Sequence, residues 1–439
     1  MFKYLPLTDT NRKDMLKVIN VPDVDDLLID IPSSLRLKKP YAILPRLSEH
    51  QLRKHLKANQ GTVLESYRGF GAYEHERPAI VDMLSSRQEF LTSYTPYQPE
   101  VAQGTLQYIF EWQSMITELT GMEVSNASVY DGPTALAEAM MMAVNIATHR
   151  RLIVASPLLP HVEKVIQTYA HYRNIILDVL PSKAGLIDTT AIEKAMQEPF
   201  SAVIFSYPNR YGNIEYFDRF VTAIHGQKAL VISYNDPFAL SRLKTPGSLG
   251  ADIVCGEAQS LGLPLSFGGP YLGYLATKMD YVRKMPGRIC GYTKDSKGER
   301  GFVLTLQARE QHIRREKANS NICSNQSLLA LQATIYCASM GKQGLVKAFD
   351  QATQAAHYLA QELLKTNLFT MAFQAPFAYE VTLTYVGDSE ALENELLQHG
   401  YLLGQRLEDQ RVIFYCSESK TKTDIDAFVS RIKEVHHGL

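Results

Sequence analysis

Short apolar runs alternate with amphipathic stretches through the middle of the chain, and this alternation sets the fold expectation. Helix DGPTALAEAMMMAVNIATHR precedes strand RLIVAS, then helix HVEKVIQTYAHYR and strand NIILDVL. Helix DTTAIEKAMQE, strand SAVIFSYP, helix YFDRFVTAIHG and strand ALVISYND continue the pattern, and strands ADIVCGEA and GPYLGYLAT follow. Short β-rich runs separated by helices predict a largely parallel sheet covered on both faces. No clear helix separates the last two runs, so an antiparallel portion is expected there.

The flanks read differently. In the first hundred residues, TDTNRKDMLKVI offers Thr8 or Thr10 as a helix cap and LSEHQLRKHLKAN offers Ser48, with the Pro-bounded connector IPSSLRLKKPYAILP between them. FLTSYTPYQPEVAQGTLQYIFEWQSMITELTG gives a loop and then an amphipathic helix ending at Gly121. Beyond residue 325, two long helices precede strands YEVTLTYV and RVIFYCSE, each followed by a helix. The expected organisation is an N-terminal helical and connecting segment (1–100), a large α/β domain (101–325) and a small C-terminal α+β domain (326–439).

Composition narrows the function classes. At 439 residues, 45% hydrophobic and 21% charged, the chain is an ordinary globular protein. Its formal net charge of −1 supplies no global field for nucleic acid or an anionic membrane, and neither partner is expected. Cys255, Cys290, Cys323, Cys337 and Cys416 are widely spaced, without CxxC or Cys/His clusters. Reduced thiols and no metal site are expected. No apolar stretch approaches bilayer length, and MFKYLPLTDTNRKDML resembles neither a signal nor a transit peptide, so the expected location is cytoplasmic.

The segment GEAQSLGLPLSFGGPYLG follows a buried-strand pattern and has the Gly and Pro content of a loop that approaches a cofactor closely. The element order suits a pyridoxal-phosphate-dependent transferase fold of the aspartate-aminotransferase type. That fold needs a helix N-terminus for the phosphate, an acid for the pyridine nitrogen and a lysine for the imine. Asp131-Gly132-Pro133-Thr134 opens a helix, as a phosphate cradle or as a plain cap. Asp236 ends a strand, as the pyridine acid or as an Asp-Pro turn initiator. Gln259 stands where the lysine is expected, and no lysine occurs between Lys244 and Lys278. An amide has no nucleophilic amine and can only hydrogen-bond. No catalytic residue is therefore expected, and Thr134 and Asp236 remain as vestigial cofactor-binding candidates.

Five blocks carry a specific resemblance: YLPLTDTNRKDML, YTPYQPEVAQGTLQ, DGPTALAEAMMMA, GADIVCGEAQSLGLPLSFGGPYLG and KMPGRICGYTKDSKGERGFVLTLQAREQHIRREKANSNICSNQ. On these the chain resembles the α subunit, or subunit 1, of two-subunit glycine dehydrogenase (aminomethyl-transferring), the P-protein of the glycine cleavage system. The resemblance implies a companion β subunit that holds pyridoxal phosphate on its own lysine, in an α2β2 assembly. It also implies that the complex decarboxylates glycine and passes the aminomethyl group to the lipoyl arm of the H-protein. The segment SYRGFGAYEHERP departs from the more apolar family string at Arg68, Glu76 and Arg77, and Pro133 stands where Ala is expected.

Other residues keep two readings. Tyr94, Thr95, Tyr97 and Gln98 in SYTPYQPE form a Pro-stiffened loop that either borders the partner's active site or packs against the partner. Arg288, Arg300, Arg309, Arg314 and Arg315 either steer the acidic H-protein or a carboxylate, or form a solvated helix face. His75, His161 and His312 lack metal spacing. Lys317, in a stretch expected to continue a charged helix, would serve an autonomous pyridoxal enzyme and otherwise is a surface lysine. A purely structural or regulatory subunit is the other alternative.

Overall fold

The computed structural model describes residues 7–318 and 320–438 and falls into two compact units, Met1–Thr62 and Val63–Leu439. In the first unit, helices Asp9–Ile19 and Glu49–Ala58 each begin with a capping box, Thr8 with Asn11 and Ser48 with Gln51. Reciprocal side-chain and backbone bonds satisfy the first-turn donors there. Neither helix buries a residue.

The second unit is built on a seven-stranded sheet. Its strands are β1 (Val124–Ser125), β2 (Arg151–Val154), β3 (Ile176–Val179), β4 (Ala202–Ser206), β5 (Leu230–Tyr234), β6 (Ile253–Glu257) and β7 (Gly273–Thr277). They lie in the order β1-β7-β6-β5-β4-β2-β3. Strands β2 to β6 are parallel, with Ile153 opposite Val203, Val203 opposite Val231 and Ile232 opposite Ile253. Strand β7 runs antiparallel to both β6 and β1, as the missing crossover helix implied.

Residue parity divides the apolar positions between the sheet's two faces. Ile153, Val203, Phe205 and Val231 join one core, while Leu152, Val154, Ile204 and Ile232 join the other. The second core is covered by helices Gly132–Ala147 and Pro160–Tyr172, which supply Leu136, Met140, Val162 and Ile166. Burial on both sides explains why the inner strands β4, β5 and β6 read as continuous buried runs, while β3 at the sheet edge leaves Ile176 and Val179 exposed. The connection from β3 returns past β2 to β4, so the loops after β2 and β4 open a crevice at the strands' carboxyl ends, where ligands bind in open α/β sheets.

Helix Ser327–Lys365 bends at Gly341, whose φ of 62° and ψ of 174° interrupt the helix, in keeping with the two helices expected. It leads into a four-stranded antiparallel sheet ordered Phe369–Met371, Glu380–Tyr385, Arg411–Tyr415, Gln405–Arg406. Helices Ser389–Gln398 and Lys422–Gly438 pack against it around Leu383, Leu392, Phe414 and Phe428. Two details differ from expectation. Ile289–Lys294 and Arg300–Thr305 form an antiparallel hairpin. The stretch around Lys317 is only a four-residue helix, Gln311–Arg314, and a 3-10 turn, Arg315–Lys317, because a positive φ at Arg315 breaks the helical ladder.

Candidate functional site

The position expected to hold a lysine is part of a backbone clamp. Gln259 lies two residues beyond β6 and is 1% exposed. Its Oε1 accepts the Tyr73 N–H at 2.7 Å, and its Nε2 donates to the Tyr73 carbonyl at 2.7 Å and the Leu263 carbonyl at 2.8 Å. The amide thus pairs with Tyr73 as a neighbouring strand would, pinning residues around Tyr73 to the end of the sheet. Donor and acceptor are both required, and an ammonium has no acceptor.

The helix N-terminus beside it is closed by the chain's own carboxylates. Asp131 accepts the Thr134 N–H at 2.7 Å. Glu257, at the end of β6, accepts from Gly132 at 2.8 Å, Leu272 at 2.8 Å and Gln259 at 3.1 Å. Pro133 has no N–H to offer. The first-turn donors that would hold a phosphate are therefore engaged within the chain. The approach is close enough to require glycine: a Cβ at Gly132 would lie 2.6 Å from the Tyr234 hydroxyl and 2.8 Å from the Glu257 nitrogen.

Asp236 accepts hydrogen bonds from the Ser260 hydroxyl, the Tyr379 hydroxyl and the Phe238 N–H. Glu380, from the small sheet, accepts the Phe70 N–H at 2.6 Å and the Tyr73 hydroxyl at 3.0 Å. Burial pushes the Asp236 carboxyl up, and it pushes Glu257 and Glu380 up to about 7 each. These three acids line a cavity of about 40 Å³, room for little more than one water molecule. A pyridoxal phosphate does not fit this set: the amine is absent, the phosphate seat is taken and the space is filled.

A second cluster joins segments far apart in sequence. Tyr94 and Tyr97 are 77% and 55% exposed, and Gln98 is exposed beside them. Buried Arg288 donates to the Thr95 hydroxyl at 3.2 Å and the Tyr97 hydroxyl at 3.4 Å, with its guanidinium 5.5 Å from the Tyr97 ring centre. Its Nε lies 3.7 Å from Glu310, which in turn lies 3.6 Å from His312. Of the other arginines, those described lie on separate elements. Arg300 is exposed on the hairpin 5.4 Å from the Phe302 ring, and Arg314 and Arg315 are exposed on the short turn. The side chain of Arg309 lies outside the described residues. Lys317 is exposed.

The remaining candidates have structural partners. His75 pairs with Glu418 at 2.8 Å. Two departures from the family string are ion-paired, Arg68 with Glu393 and Arg77 with Asp82. Sequence reasoning missed Tyr73, Glu257, Glu380 and Tyr379. For Glu257 a signal existed, an acid closing an otherwise apolar strand. For the others none did. Among the described residues no group of three His, Cys, Asp or Glu side chains is placed to hold a metal, no cysteine is disulfide-bonded, and no helix is long and apolar enough to cross a membrane.

Comparison with known proteins adds a family. A family described as Glycine cleavage system P-protein matches residues 2–432. The chain is 44% identical over 443 residues to the probable glycine dehydrogenase (decarboxylating) subunit 1 of Desulfitobacterium hafniense, covering 98% of this chain and 99% of that one. It superposes on a crystal structure of glycine decarboxylase (P-protein) of the glycine cleavage system, in inhibitor-bound form, with TM-score 0.86 and 36% identity over 99% of this chain and 100% of that one. Lactobacillus brevis glutamate decarboxylase, at 13% identity and TM-score 0.68 over 93% of this chain and 97% of that one, shares the fold.

Proposed function

The chain belongs to the P-protein family of the glycine cleavage system, and from that membership we propose that it is the α subunit of a two-chain glycine dehydrogenase (decarboxylating) whose pyridoxal phosphate sits on the β subunit. The observation that carries this assignment is the Gln259 clamp, a neutral amide bonded on both sides where the imine-forming amine would have to stand. The complex takes glycine, releases CO2 and passes the aminomethyl group to the lipoyl arm of the H-protein. The cofactor supplies the electron sink for decarboxylation when bound in the β subunit, and no covalent step falls on this chain. The assembly is α2β2 and cytoplasmic.

The contribution of this chain is the surface around Tyr94, Thr95, Tyr97 and Gln98. Homologous dimers of this fold place active sites at subunit interfaces, and Arg288 braces the loop from beneath. Exposed tyrosines on a stiffened loop suit a partner's surface, because they bring large contact area at low entropic cost.

Co-expression with the β subunit, followed by glycine–bicarbonate exchange on the complex and on each chain, tests the assignment. Exchange is expected only in the complex; exchange by this chain alone would overturn it. Replacing Tyr94 and Tyr97 together by alanine is expected to lower exchange in the assembled complex at least about tenfold, the equivalent of one lost transition-state contact. Unchanged turnover in a complex that still assembles would instead favour a structural subunit.

A further inference from the structure

A cleft of about 750 Å³ lies between the helix Pro160–Tyr172 and the small antiparallel sheet, next to the closed cofactor cavity, with Arg210 lining both. Its size falls in the range of small-molecule sites. Its electrostatics are unusual for a chain of net charge −1. Glu393 is already committed to two cations, Arg68 and Arg406. Glu163 accepts from Gln167, and Glu408 stands at the exposed rim.

That leaves Arg210 and Arg411 without adequate compensation. Among the described residues no carboxylate lies within ion-pair distance of Arg210. Its side chain bonds, among the described residues, through Nη2 to the Tyr211 hydroxyl at 2.7 Å, and its Nε is buried without a partner there. The one carboxylate paired with Arg411 among the described residues is Asp409 at 3.2 Å, 82% exposed and therefore weakly coupled, while its Nε donates to the Glu408 carbonyl at 3.3 Å. Both guanidiniums are held against one ring, 4.8 Å and 5.8 Å from the centre of Tyr211. Two like charges on one aromatic ring repel, and a buried unpaired N–H is costly. Tyr211 holds them in place, facing a space that a ligand would fill.

We propose that this cleft binds a small phosphate-bearing anion between Arg210 and Arg411. Guanidinium forks match phosphate oxygens bidentately, and a phosphoryl group concentrates its negative charge on one compact set of oxygens that both arginines can share, where a dicarboxylate divides its charge between two separated groups. The site uses no residue of the closed cofactor cavity except Arg210 and does not depend on which subunit carries the pyridoxal phosphate.

Calorimetric titration of the full chain with inorganic phosphate, pyrophosphate and succinate tests this. Pyrophosphate is expected to bind most tightly, with affinity falling as salt rises. Arg210→Gln and Arg411→Gln are each expected to weaken it at least tenfold, while Lys297→Gln, on the distant hairpin turn, leaves it unchanged. The two arginines lie on different elements, so either variant remains informative if the other folds poorly. Absence of binding by both phosphates, retention of wild-type affinity in both variants, or succinate binding as tightly as pyrophosphate would overturn the proposal.

Discussion

Gln259→Lys is expected to destabilise the protein by about 2–4 kcal/mol and to gain no pyridoxal, the opposite of what supplying the missing amine alone would suggest. The amide Oε1 is the acceptor for the Tyr73 N–H, and lysine offers none, so that donor would be left buried and unpaired. The new ammonium would also be desolvated at a site 1% exposed. Binding fails for separate reasons. Glu257 and Asp131 occupy the amides of the helix start, and the cavity of about 40 Å³ has no room for a substituted pyridine. Urea unfolding and borohydride reduction in the presence of pyridoxal phosphate read the two effects independently. A stable variant that traps the cofactor would show that one side chain had closed the site.

The sheet was legible in the sequence because burial on both faces leaves an unmistakable local mark. Runs such as Ala202–Ser206 and Leu230–Tyr234 are wholly buried, so every position is apolar or small and the helices between them carry the 3.6-residue period. The hairpin Ile289–Lys294/Arg300–Thr305 was missed although its turn carries a signal: Asp295 accepts from Lys297 and Glu299, and Gly298 has a φ of +83°. Its half-exposed strands, mixing Lys, Arg, Tyr and Thr with Phe and Val, lack the continuous apolar character of the sheet.

The site was legible only where it depends on one residue type. Gln259 stood out because a lysine was expected, and Asp131 read correctly as a possible cap. Its closing partners come from remote segments: Tyr73 lies 186 residues before Gln259, and Glu380 lies 307 residues after Tyr73. The brace between Arg288 and Thr95 spans 193 residues. Such pairings arise from the sheet's topology and the docking of the small sheet, and local periodicity carries no trace of them.

Glu380→Gln should leave the protein nearly unchanged at about pH 4 and more stable than wild type at about pH 8, by up to about 3 kcal/mol. Burial, followed by the negative charge of Asp236, raises the Glu380 carboxyl to about 7 from an ordinary 4.5, against hydrogen bonds from Phe70 and Tyr73 that lower it. The folded chain therefore binds this proton more tightly than the unfolded chain does. Its contribution is fully present below about pH 4.5 and is lost as pH rises through about 7, beyond which the loss is constant. Glutamine keeps the geometry, with Oε1 accepting the Phe70 N–H and Nε2 donating to the Tyr73 hydroxyl, but it never ionises. The difference in unfolding free energy between variant and wild type should thus grow across that window and then level off. A pH-independent difference would mean that Glu380 keeps one protonation state throughout, and that the acids around the closed cavity are not what makes it costly at high pH.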